Sequence, residues 1–160
     1  MTGALALIDQ HGNLITTADI ASTDGRVDMS DLRDHVRRFQ RMVGIDMAVV
    51  ENVASMPKQG VSTTFKFGRA AGALESCIVT LDIPMDLITP AQWKTKMKMA
   101  GKDKDYPRVW CQRRWPTVNL FEAKGKGQAR ADAACIALAW LEMHSEFREA
   151  PSKAPRRTVP

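Results

Sequence analysis

The amino-acid sequence predicts an α/β domain built on a mixed sheet, and three patterns carry that expectation. Short β-rich runs alternate with stretches whose apolar residues recur at helical spacing, as layered strands and helices require. The first two runs, residues 3–8 and 14–20, are separated only by Asp9-Gln10-His11-Gly12-Asn13. That is a turn composition, so the pair reads as an N-terminal β-hairpin. Met47-Ala48-Val49-Val50 is continuously apolar and reads as a central strand buried on both faces.

Further elements are readable along the chain. Residues 21–29 are polar, contain Gly and Asp, and read as a loop. Ser30 looks like an N-cap with Asp31 and Asp34 in the first turn; Leu32, Val36, Phe39 and Val43 come next at helical spacing, and Gly44 stops the helix. The central strand ends on Glu51-Asn52, and a loop, Met56-Pro57-Lys58-Gln59-Gly60, comes next. Ser62 or Thr63 is the expected cap of a helix carrying Phe65, Ala71, Leu74 and Ile78. Residues 84–88 read as another strand, and Thr89-Pro90 opens a helix in the usual cap-then-proline order. A basic stretch extends to about residue 127, and residues 128–143 read as a helix apolar nearly all round. Residues 1–145 are expected to form the domain, and 146–160 a basic, Pro-rich disordered tail.

A chain of 160 residues fits one domain and can bury a sizeable core without disulfides. Cys77, Cys111 and Cys135 are odd in number and widely spaced, which suggests buried thiols in a reducing compartment rather than a disulfide framework or zinc site. The N-terminus has no basic region before an apolar run too short for a signal peptide or membrane span, so a cytoplasmic location is expected. His11, His35 and His144 lack metal-ligand spacing, and no phosphate-binding loop, dinucleotide fingerprint or nucleophile elbow is present. Nucleotide hydrolysis, dehydrogenase and esterase chemistry are therefore disfavoured.

Three features could carry chemistry. Glu51 sits at the carboxyl end of a buried strand, where open α/β sheets place their ligands. Lys58, Gln59 and Gly60 in the loop beyond it suit a phosphate-bearing partner. Asp132 lies one turn before Ile136 on an otherwise apolar helix, and a carboxylate there needs a partner. A salt bridge with Arg130 or another basic side chain, or a metal shared with Glu51, would each provide one. Between Lys94 and Arg130, eleven Lys/Arg face three acids, a net +8 against +5 for the whole chain. Trp93, Trp110 and Trp115 are interleaved and are expected to be mostly core, with the charge serving phosphate contacts.

These segments resemble the phage-type RuvC family of Holliday junction resolvases. Residues 2–9 resemble the stretch just after the family's opening Gly-Ile-Asp-Pro-Gly, and Val49-Val50-Glu51-Asn52 resembles its second acidic strand. Met56-Pro57-Lys58-Gln59-Gly60-Val61-Ser62 with Phe67-Gly68-Arg69-Ala70 resembles the loop and helix beyond. Thr89-Pro90-Ala91-Gln92-Trp93-Lys94 and Lys102-Asp103-Lys104 resemble its basic segment, and Arg130-Ala131-Asp132-Ala133 its acidic last helix. The resemblance implies a ribonuclease H-like fold, usually dimeric, that cuts four-way DNA junctions with Mg2+ or Mn2+. It implies Glu51 and Asp132 as catalytic metal ligands. Lys58, Gln59, Gly60, Arg69, Lys94, Lys96, Lys98, Lys102, Lys104, Arg113, Arg114, Lys124, Lys126 and Arg130 would then be DNA contacts. The chain departs from the family twice: the first-strand Asp has no counterpart, and where the last helix usually carries another acid it has Gln128 and Ala129. An active endonuclease is the leading expectation. A cleavage-impaired junction-binding protein comes second, and a module for acidic protein or RNA third.

Overall fold

The computed structural model describes residues 3–23, 26–52 and 60–149. The hairpin forms as expected, with β1 (Gly3–Ile8) antiparallel to β2 (Leu14–Ile20) in register from Gly3 opposite Ile20 to Leu7 opposite Thr16. Asp9 builds its turn: Oδ1 accepts from the backbone N–H of His11 (2.9 Å) and Asn13 (2.8 Å), and Oδ2 accepts from Asn13 Nδ2 at 2.9 Å. Gly12 holds φ +79, which favours glycine, and a Cβ there would press on Leu138 Cδ2 at 2.9 Å.

The polar stretch after the hairpin is more ordered than a loop. β3 (Ser22–Thr23) and β4 (Arg26–Val27) pair antiparallel before α1 (Met29–Val43). The cap of α1 is Asp28, not Ser30. Its Oδ1 accepts from the N–H groups of Ser30 (2.9 Å) and Asp31 (3.1 Å), because Asp28 still has extended backbone while Ser30 is already helical. Gly44, at φ 78, ends the helix.

β5 (Ala48–Glu51) and β6 (Met85–Ile88) are parallel, with Ala48 opposite Met85 and Glu51 opposite Ile88. They are joined through α2 (Val61–Thr80), whose cap position is Gly60 with no side-chain bond; Ser62 and Thr63 lie inside the helix. Thr89 and Gln92 form a reciprocal capping box on α3 (Pro90–Lys96). The basic stretch contains a further helix, α4 (Tyr106–Arg114), and α5 (Lys124–Met143) begins before the expected residue 128. Past residue 145 a short α6 (Glu146–Glu149) brings the Phe147 ring to 4.8 Å from Trp140.

Side-chain alternation on the strands sets the layers. Ala6 and Ile8 of β1, with Met47 before β5 and Val49 on it, pack with Trp93, Cys111, Phe121, Ala131 and Leu138. Leu5 of β1 and Ala48 and Val50 of β5 pack on the other side with Leu32, Val36, Cys77 and Ile78. Helices therefore cover both faces of the strands, α3, α4 and α5 on one side and α1 and α2 on the other. Among the described residues the strands form three separate ladders, β1 with β2, β3 with β4 and β5 with β6. No helix of the described residues is long and apolar enough to cross a membrane.

Candidate functional site

Glu51 occupies the last position of β5, and its side chain is held from α3: Trp93 Nε1 donates to Glu51 Oε1 at 2.7 Å. Trp93 is itself 2% exposed, so the partner that fixes the carboxylate is locked in the core. The geometry follows from topology. Parallel β5 and β6 bring their carboxyl ends together, so the first turn after β6 lies beside the end of β5.

Asp132 is half-buried on α5, with Oδ1 accepting from Gln128 Nε2 at 2.9 Å. Burial pushes its carboxyl up to about 6, against the Gln128 hydrogen bond. The charge of Glu51 pushes it the same way, while Lys94 and Lys104 pull it down. Two carboxylates and two lysines from four different segments thus share one electrostatic neighbourhood. Both acids line a cavity of about 710 Å3, together with Ala129.

The Arg130 salt bridge to Asp132 does not form. Residues two apart point to different sides of a helix. Arg130 instead makes two hydrogen bonds to Asp19 on β2 (2.7 and 2.8 Å) and one to the Leu120 carbonyl (3.1 Å). This pair holds the Asp19 carboxyl below its ordinary value. Lys126 Nζ stands 3.6 Å from the same carboxylate. Arg130 and Lys126, read from the sequence as DNA contacts, therefore tie the hairpin to α5.

The remaining cations are spread over the surface. Lys94 and Lys96 are on α3, Lys98, Lys102 and Lys104 on the turn after it, Arg113 and Arg114 at the end of α4 and Lys124 at the start of α5, all exposed. The cationic groups of Lys94 and Arg114 lie over the rings of Trp93 and Trp115 at 5.3 and 5.8 Å. Trp93 and Trp115 are buried, as expected. Arg108 is the exception: it is buried and bonded to Asp105 and to the Phe121 carbonyl. Arg69 is exposed on α2 over the Phe65 ring at 5.7 Å, and Gly60 is exposed at its cap. Lys58 and Gln59 lie outside the described residues.

A pair of divalent cations needs more oxygen ligands than this arrangement offers. Among the described residues no group of three or more His, Cys, Asp or Glu side chains is placed to hold a metal ion. Gln128 Oε1 is buried without a partner and lends one neutral oxygen, and Ala129 lends none. The described side chains do not fit a two-metal centre on their own.

The fold has close structural counterparts. A Thermus thermophilus RuvC structure superimposes with a TM-score of 0.63, covering 92% of this chain and 98% of that one at 14% identity. The chain has a RuvC-like fold. A second match, T. thermophilus RuvC in complex with a Holliday junction substrate, gives a TM-score of 0.61 at 13% identity over 92% of this chain and 96% of the other. The RuvC-like fold confirms the ribonuclease H-like class read from the sequence motifs. No protein-family model matches the chain, and no curated protein matches it in sequence.

The two acids singled out in the sequence, Glu51 and Asp132, lie on one cavity, but the sequence reading missed Trp93 as the group that positions Glu51. The signal was available: Trp93 stands in the first turn of the helix that directly follows the strand paired to β5. Nothing local distinguished Lys94 and Lys104 from the other lysines, since their proximity to Asp132 is created by the fold.

Proposed function

We propose that this chain acts on four-way DNA junctions, with Glu51 and Asp132 as the acidic pair of a Mg2+- or Mn2+-dependent endonuclease. The single observation that carries the reading is the convergence of these two acids from β5 and α5 on one cavity, in a RuvC-like fold. Lys94 and Lys104 beside the acids are the first candidates to meet DNA phosphates, with Lys96, Lys98, Lys102, Arg113, Arg114 and Lys124 extending the basic surface. Gly60 and Arg69, with Lys58 and Gln59 from the loop that the sequence places after Glu51, would add further phosphate contacts. When bound, a divalent cation would supply charge stabilisation at the phosphodiester. Trp93 keeps Glu51 oriented, and Gln128 does the same for Asp132. Exposed Val61 and Phe65 on α2 (88% and 64%) support a homodimer.

A second reading, junction binding without cleavage, is favoured by the shortage of ligands around the acid pair. Electrophoretic retardation and cleavage of one synthetic four-way junction separate the readings. The chain is expected to bind the junction roughly tenfold more tightly than duplex of equal length, with affinity falling steeply with salt. Cleavage in Mg2+ or Mn2+ that Glu51→Gln abolishes establishes the endonuclease, and binding with no cleavage establishes the second reading. Equal affinity for junction, duplex and an unrelated polyanion would sink both.

A further inference from the structure

We infer that the second half of α1 is a docking surface for an acidic, amphipathic helix of a partner protein. Every Lys/Arg position of α1 is an arginine, and Arg33, Arg37, Arg38 and Arg41 are all exposed. The first half of the helix balances its charge internally: Arg33 pairs with Asp34 at 2.9 Å, and His35 Nε2 stands 3.3 Å from Asp31. The second half does not. No acid occurs from residue 35 to residue 45, and among the described residues Arg37, Arg38 and Arg41 have no ion-pair partner. Arg37 and Arg41 are four apart, on one face and about 6 Å along the axis, so they repel each other until an anion lies across both. The Arg38 guanidinium lies 5.5 Å from the centre of the Phe39 ring. Met42 and Val43, 47% and 43% exposed, add apolar surface at the same end of the helix.

An occupant of this face must match charge and apolar surface together. Guanidinium groups take carboxylates or phosphates in paired hydrogen bonds. Two glutamates four apart on a helix repeat the step of about 6 Å between Arg37 and Arg41. Apolar residues on the next stripe of such a helix would cover Met42 and Val43. A phosphate backbone makes no use of those two side chains, and lying along α1 it would meet Asp28, Asp31 and Asp34 at the other end. The surface is also separate from the acid pair. α1 leads into β5 through residues 44–47, so Arg41 and Met42 lie toward the start of the strand that Glu51 ends. Gln40 Nε2 donates to the Leu81 carbonyl at 3.3 Å, which sets this end of α1 beside the end of α2 remote from Val61 and Phe65. A helix of 20 residues is about 30 Å long, so a partner here would leave Val61 and Phe65 open.

The test uses the full chain and a fluorescein-labelled peptide of about fifteen residues, built on alanine with glutamates four apart on one stripe and leucines on the next. Saturable binding is expected by fluorescence anisotropy, and a scrambled peptide of the same composition is expected to bind at least about tenfold more weakly. Arg37→Glu combined with Arg41→Glu is expected to weaken the peptide at least about tenfold. Met42→Ser is expected to weaken it about threefold through lost apolar burial. Arg113→Glu combined with Arg114→Glu, on α4, is expected to leave it unchanged. Cooperative melting verifies that each variant is folded. Junction binding by the Arg37→Glu, Arg41→Glu chain is expected to stay within about threefold of the parent, because salt screens charges more than about 10 Å apart. Absence of peptide binding overturns the docking surface. Equal binding of the scrambled peptide, or an equal loss in the α4 variant, overturns it too, because attraction between any cation and a polyanion then suffices. A loss of junction binding as large as the loss of peptide makes nucleic acid the occupant, and self-association that the double variant abolishes makes it a second copy; either result overturns the proposal. Peptide binding that Met42→Ser leaves unchanged overturns its amphipathic part.

Discussion

Replacing Asp132 with asparagine is expected to raise folding stability at pH 7 by about 2 kcal/mol while abolishing any metal-dependent cleavage. The carboxyl is moved by burial from an ordinary 3.8 to about 6. The folded chain therefore binds this proton more tightly than the unfolded chain, and ionisation costs stability. The contribution is fully present below pH 4 and is lost as pH rises through the window from 3.8 to about 6. A shift of that size corresponds to roughly 3 kcal/mol, and solvent reaching the half-buried group lowers it to about 2. Asparagine keeps an oxygen for Gln128 Nε2 and carries no charge. Urea unfolding at pH 3 and pH 7 checks this: variant and parent should coincide at the lower pH and separate at the higher. A variant less stable than its parent at pH 7 would mean that the ionised carboxylate is satisfied in a way its burial does not show.

Gly127→Ala is expected to destabilise the chain by about 2 kcal/mol, a fall of roughly 4–8 °C in Tm. An added Cβ would meet the Phe121 carbonyl oxygen at 2.7 Å and its carbon at 2.8 Å, and both are backbone atoms that no rotamer change can move. The gain of alanine over glycine in a helix, about 1 kcal/mol, offsets part of the clash. The displaced carbonyl also accepts from Arg108 Nη1 at 3.1 Å and from Gln112 Nε2 at 3.4 Å. The first turn of α5 and the end of the preceding loop would have to part together. Calorimetric melting measures it, and an unchanged Tm would show that the loop yields at no cost.

The elements legible in the sequence were those whose signals are local. The hairpin, the strand ending on Glu51, the Thr89-Pro90 start and the Gly44 stop each depend on residues within one turn or one strand. The cap of α1 was misplaced because Asp28 and Ser30 are both good caps, and only the backbone decides which one is still extended. α4 was hidden because its surface is basic and its inward residues, Pro107, Arg108 and Cys111, make no apolar stripe. For the site, Glu51 and Asp132 were visible as acids in apolar surroundings. Their mutual approach was not, because it depends on α5 packing across the strands. The reach of Arg130 to Asp19 was equally invisible, since it joins residues 111 positions apart.

That last pairing bears on how the protein acquires its structure. The hairpin at one end of the chain finds its cover in a helix near the other, so its defining contacts are among the most distant in sequence and the slowest to close. On a ribosome adding about 5–20 residues per second, β1 and β2 wait on the order of 5–20 s for α5 to be made. Chains arrested before residue 124 are accordingly expected to be cut by protease within the hairpin, and released full-length chains to resist. A hairpin already resistant in arrested chains would mean that it folds without its helix.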